Sequence, residues 1–139
     1  MRYLTRAFVP TALFLVVFAC RGKQPEPTPA ASVRVSEITL GRAIGADKRV
    51  TDKTDSFAPR DTIYAVVVTE GSSPSAVLKA RWTYGAGQLV DETTQTIAPT
   101  GTAVSEFHVS KPDGWPKGNY QVEISLKDAP AGSRSFSVR

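Results

Sequence analysis

The stretch Gly118-Asn-Tyr-Gln-Val-Glu-Ile-Ser-Leu-Lys127 alternates without interruption: Tyr120, Val122, Ile124 and Leu126 share one face, and Asn119, Gln121, Glu123 and Ser125 share the other. A sustained period of two predicts a β-strand with one buried side. The pattern recurs upstream, where Leu78, Ala80, Trp82 and Tyr84 alternate with Lys79, Arg81 and Thr83. It recurs again where Ala103, Ser105, Phe107 and Val109 alternate with Val104, Glu106 and His108. Thr62–Thr69 is nearly all apolar and β-branched, which suits a central strand covered on both sides. Val33–Leu40 and Arg134–Val138 complete a set of six, and Gln88–Ile97 is a candidate seventh. Clusters of Gly, Pro, Asp and Ser separate these runs, and no long helical period is visible.

About seven short strands in about a hundred residues predict an all-β, antiparallel β-sandwich of the immunoglobulin-like kind. Its order also resembles that family in detail. Trp82 follows the central Thr62–Thr69 strand, and Gly118-Asn119-Tyr120-Gln121-Val122 is similar to the tyrosine corner. The resemblance puts Val122 where antibody domains carry their second cysteine, and implies a broader immunoglobulin-like or fibronectin-type architecture with Val67 and Val122 packing on Trp82. The run Trp115-Pro-Lys-Gly-Asn-Tyr-Gln-Val resembles the last hairpin of secreted bacterial sandwich domains. Trp115 can cover the open end of the core there while Gly118 lets the chain turn; the alternative is an exposed aromatic that touches a partner.

The chain has 139 residues, of which 32–139 are enough for one modest core. Its formal charge of +4 includes Arg2 and Arg6, and falls to +2 without them. The remaining cations, among them Lys48, Arg49, Arg60, Lys79, Arg81 and Lys117, are spread between carboxylates, so no phosphate-binding stripe forms and nucleic acid is not expected as a partner. One cysteine excludes an internal disulfide, and one cysteine with one histidine cannot build a zinc site.

Catalytic patterns are missing from the sequence. His108 is the single histidine, placed by alternation on an outer face beside Glu106, where a catalytic role needs a nucleophile within reach. There is no Gly-x-Ser-x-Gly elbow and no Ser-x-x-Lys. Gly85-Ala-Gly87 lacks the third glycine and following helix of a phosphate cradle and reads as a turn. Asp47, Asp52 and Asp55 lie in a long segment, 41–56, but Lys48, Arg49 and Lys53 among them repel a cation, so the segment reads as a solvated loop whose length is its functional hint. Asp91-Glu92 is a lone acidic pair without the cleft separation that glycoside hydrolysis needs. The expectation is a protein that is not an enzyme and carries no catalytic residues, metal or cofactor.

The lone cysteine sits at the seam between the apolar run Ala7–Ala19 and a proline-studded polar stretch. Arg2 and Arg6 followed by that run form an export signal over residues 1–19. As a helix the run reaches only ~20 Å, short of a ~30 Å hydrocarbon core, and Arg21 and Lys23 block its extension. Val17-Phe18-Ala19-Cys20 resembles the lipobox of bacterial lipoproteins, with Phe18 bulkier than the pattern. The resemblance implies cleavage before Cys20, a diacylglyceryl group on its sulfur, and acylation of the new amine by a chain such as palmitate. With Arg21 rather than Asp after the cysteine, it implies sorting to the outer membrane, facing the periplasm or the surface. Residues 20–31, with Pro25, Pro27 and Pro29, read as an extended flexible tether of roughly 34 Å.

The function expected is therefore a lipid-anchored cell-envelope protein: the membrane is engaged through Cys20, and an immunoglobulin-like binding or adaptor domain over 32–139 meets an envelope protein or surface polymer. Lys79, Arg81 and Trp115 are the candidate binding residues, and the outward Lys79–Arg81 pair with the 41–56 loop is the first place to look. The alternative is an accessory assembly or stability subunit of an outer-membrane complex.

Overall fold

The computed structural model describes residues 32–139; the expected signal peptide, Cys20 and the expected tether lie outside the described residues. Eight strands follow in order: β1 (Arg34–Gly41), β2 (Ser56–Phe57), β3 (Ile63–Glu70), β4 (Ala76–Tyr84), β5 (Gln88–Ile97), β6 (Ala103–Val109), β7 (Gly118–Leu126) and β8 (Ala129–Val138). They form two sheets of unequal width, β1-β3-β6 and β2-β8-β7-β4-β5. Pairing is antiparallel throughout except for the two-residue parallel contact of β2 with β8. This is the expected immunoglobulin-like sandwich, with one strand more than the expected seven.

Alternation translates directly into packing. From β7, Val122 and Ile124 are fully buried, as are Leu78 and Ala80 from β4 and Ile63, Ala65 and Val67 from β3. Trp82 lies among them at 1% exposure beside its register partner Val122, and meets Phe136 edge-on at a centroid distance of 5.9 Å. Each buried Val, Leu or Ile among them contributes roughly 1.5–3 kcal/mol over an exposed one. Val66 and Val68, on the other face of β3, are also buried, which explains the unbroken apolar run. On that face Val66 sits between Thr39 and Glu106, and Val68 between Glu37 and Val104.

Two expectations change. The segment 41–56 is not an open loop but a small hairpin that prolongs β1, with bridges Gly41–Lys53 and Ile44–Val50 and an Arg42–Asp52 ion pair at 2.9 Å. Gly41 is required there, because a Cβ would run into Val50 and the carbonyl of Asp52. The last strand starts at Ala129 rather than Arg134. Lys127 and Asp128 both take positive φ, 52° and 63°, which reverses the chain in two residues with the twist that a hairpin favours. Pro130 and Gly132 are tolerated because a bulge opposite Ile124/Ser125 absorbs them, and β2 borders β8 only at Ser137 and Val138.

The indole N–H of Trp82 has no hydrogen-bond partner among the described residues, so the ring is held by shape alone. Trp82→Ala should therefore cost about 3–5 kcal/mol. Trp82→Phe should cost clearly less, since it also removes an unpaired donor; urea unfolding midpoints of the two variants check the order.

Candidate functional site

The end of the sandwich where β3 starts is closed by aromatic side chains. Tyr120, near the start of β7, is 5% exposed and forms their hub. Its ring stacks on Phe136 at 5.3 Å and 12°, leans on Tyr84 at 4.7 Å and meets Trp115 edge-on at 6.1 Å. Its hydroxyl donates to the carbonyl of Pro116 at 2.6 Å, the tyrosine-corner bond that the sequence resemblance implied. Tyr84 donates to the carbonyl of Lys117 at 3.0 Å, and the Trp115 indole donates to the carbonyl of Asp61 at 3.0 Å. Three aromatic side chains thus pin the 115–117 segment. Gly118, at φ 145°, completes the fit, because a Cβ there would lie 2.9 Å from the Tyr84 ring.

Beside this cluster runs a cleft of about 530 Å³, within the usual size for small-ligand sites. Tyr84, Trp115, Pro116 and Tyr120 line its inner wall; Leu89, Val90 and Asp91 from β5 line the other; His108, Ser110 and Lys111 lie at its rim. Leu89 is 53% exposed and Val90 36%, so the outer wall sets solvated apolar groups beside the carboxylate of Asp91. His108 is hydrogen-bonded through Nδ1 to Glu106 and lies against Tyr64 at 5.5 Å. No hydrogen bond joins Ser110 to it among the described residues, so the cleft has an oriented histidine without an activated nucleophile. No cluster of three metal-ligating side chains occurs among the described residues either. Such walls can hold an apolar or aromatic group and offer it a polar rim.

The expected site residues fall in two places. Trp115 belongs to the cleft, mostly as buried structure at 6% exposure. Lys79 and Arg81 lie on the outer face of the five-stranded sheet, apart from it. Lys79 is 4.0 Å from Glu92 and 3.9 Å from Asp128, while Arg81 is flanked in register by Glu92 and Glu123. That face is a mixed, self-neutralised surface, where ion pairs are worth about 0–1 kcal/mol each. The 41–56 hairpin adjoins β1 and the β2–β8 side, so it does not join Lys79 and Arg81 in one surface. Tyr84, Leu89, Val90 and Lys111 were not singled out from sequence.

Neither a family profile nor a curated protein matches the sequence. Solved structures do match in fold. An immunoglobulin-like protein from Pseudomonas aeruginosa aligns with TM-score 0.56 at 17% identity, over 81% of this chain and 100% of its own. A Pseudomonas fluorescens alkylpurine DNA glycosylase, bound to DNA containing an abasic site analog, aligns with TM-score 0.52 at 15% identity. A β-glucosidase involved in saponin metabolism, from intestinal bacteria, aligns with TM-score 0.50 at 17% identity. The alignments cover 78% of this chain in both cases, but only 31% of the glycosylase and 16% of the glucosidase.

Burial, with Tyr84 nearby, raises the pKa of Tyr120 above the usual tyrosine value. Above about pH 10 the unfolded chain sheds a proton that native Tyr120 still holds, so stability falls as pH rises through that range. Absorbance at 295 nm should show a tyrosine ionising later than the others. Tyr120→Phe should remove that late step and lower stability near neutral pH by about 1 kcal/mol.

Proposed function

We propose that this chain is a lipid-anchored protein of the cell envelope whose immunoglobulin-like body is a non-catalytic binding or adaptor domain. The anchor is Cys20, carrying a diacylglyceryl group and an amide-linked acyl chain in the outer membrane, with 1–19 removed and 20–31 as tether. Two or three acyl chains, at about 0.8 kcal/mol per buried methylene, suffice for lasting attachment where one does not.

The observation that carries the reading is the polarity of the domain. The carbonyl of Ser32 packs against Gly71, just after β3 ends, whereas the aromatic cleft lies where β3 begins, at Ile63 opposite Val109. An eight-residue strand separates them, roughly 23 Å at about 3.3 Å per residue. A chain held at its N-terminal side by Cys20 would leave the cleft at the end farther from the point of attachment, open to an envelope protein or a surface polymer. The cleft's aromatic inner wall and the exposed Leu89 and Val90 beside it favour a binding role.

Growth with an alkyne-bearing fatty acid should label the native protein. Cys20→Ala should abolish the label and release the domain from membranes. Equal labelling of both, or a mature N-terminus beyond residue 20, overturns the anchor.

A further inference from the structure

Two sheets leave four edges, and three of them carry features that blunt them. On β1, Arg134 Nε donates to the carbonyl of Ile38 at 3.0 Å; on β6, Gln95 Nε2 donates to the carbonyl of Glu106 at 2.6 Å. On the β8 side β2 borders only Ser137 and Val138, and the rest of that edge is blunted by Pro130, Arg134 and the bulge opposite Ile124/Ser125. The fourth, β5, is a ten-residue strand bordered by β4 alone, and Gln88–Thr94 are exposed on both faces. It carries no Lys, Arg or Pro, the residues that commonly blunt an edge. The exposed large hydrophobics of the described residues, Val77, Leu89 and Val90, all lie on the β4–β5 hairpin, and two of them border the cleft.

We propose that β5 is a docking edge: an extended segment of another polypeptide, carrying basic and apolar side chains on the same face, adds to it as a sixth strand of the wider sheet. The unpaired N–H and C=O groups of β5 supply the main-chain bonds, and an apolar side chain of the segment enters the cleft beside Leu89 and Val90. Charge selects the occupant. β5 bears Asp91 and Glu92; Glu92 shares Lys79, whereas Asp91 has no ion-pair partner among the described residues. A second copy paired β5 to β5 would bring two acidic strands together with no cation on either β5 to offset Asp91, while a basic segment would neutralise it. This rests on the adaptor reading and names the chemistry of its partner.

The test uses the full chain in detergent micelles and a ten-residue synthetic peptide that repeats Lys-Lys-Val-Val, so that each face carries both residue types, with amide hydrogen exchange of 88–97 as readout. The peptide should slow exchange of alternate β5 amides at least tenfold. Glu in place of Lys, or N-methylation of alternate peptide nitrogens, should weaken binding at least tenfold, and Asp91→Asn should weaken it about threefold. The proposal falls if β5 exchange is unchanged, if the Glu peptide protects equally, or if β5 amides slow with protein concentration alone, which makes a second copy the occupant. Running Cys20→Ala in parallel separates this outcome from the anchor, since lipid labelling does not depend on β5.

Discussion

Tyr120 is held at both ends, and much of this fold depends on that. Its ring belongs to the core, stacked on Phe136, while its hydroxyl reaches out to the carbonyl of Pro116 four residues upstream. A residue that buries its body and bonds its tip to the chain ahead of it fixes where β7 begins. Once β7 is placed, its inward residues fall opposite Trp82 on one side and Phe136 on the other. The same bond holds Pro116 beside Trp115, so the wall of the cleft and the start of the central strand are set by one side chain. Site and scaffold are therefore not separable at this end: the groups that shape the cleft are the groups that close the core.

The chain manages without the inter-sheet disulfide that steadies antibody domains. With one cysteine in the whole sequence, cohesion between the sheets must come from volume. A row of rings on the wider sheet supplies much of that volume, sharing one core with Ile63, Ala65, Val67 and Phe107 of the narrower one: Phe57 meets Phe136 edge-on at 5.5 Å, Phe136 meets Trp82 and Tyr120, and Tyr120 meets Trp115 and Tyr84. Edge-to-face and offset ring pairs add about 0.5–1.5 kcal/mol each beyond their buried area. Trp82 keeps an unpaired indole nitrogen in this setting, so what the position demands is size rather than a hydrogen bond.

What could be read from the residues follows from where burial is one-sided. β4, β6 and β7 each bury one face, so alternation announced them and named their core residues correctly, including Trp82, Val122 and Ile124. β5 was only a candidate, because a strand exposed on both faces carries no hydrophobic period; its residues are mostly polar, and Leu89 and Val90 are adjacent rather than alternating. The 41–53 hairpin was invisible for another reason: its order comes from main-chain bonds and the Arg42–Asp52 pair, which leave no apolar signature, while β2, with Phe57 buried, is only two residues long and too short to show a period. Trp115 and Gly118 were legible as the end of a loop, but the cleft was not. It draws on β4, β5, the end of β6 and the 115–116 segment, which meet only when the sheets stack.

Unequal sheet widths link the architecture to its surfaces. Three strands cannot cover five, so the wider sheet overhangs at β5, and the inward side of that strand faces solvent and the cleft instead of an opposing sheet. Gln95 bridges the step by donating to the carbonyl of Glu106, which ties β5 to β6 near its C-terminal half and leaves the half with Leu89, Val90 and Asp91 standing free. The bulge between Trp82 and Thr83 falls in that same half and shifts the side chains that face the cleft. A sandwich that needed only to be stable would gain from covering Leu89 and Val90. Their exposure beside an aromatic wall, at the end away from Ser32, is where the fold forgoes stability, and that concentration in one corner gives the domain a direction.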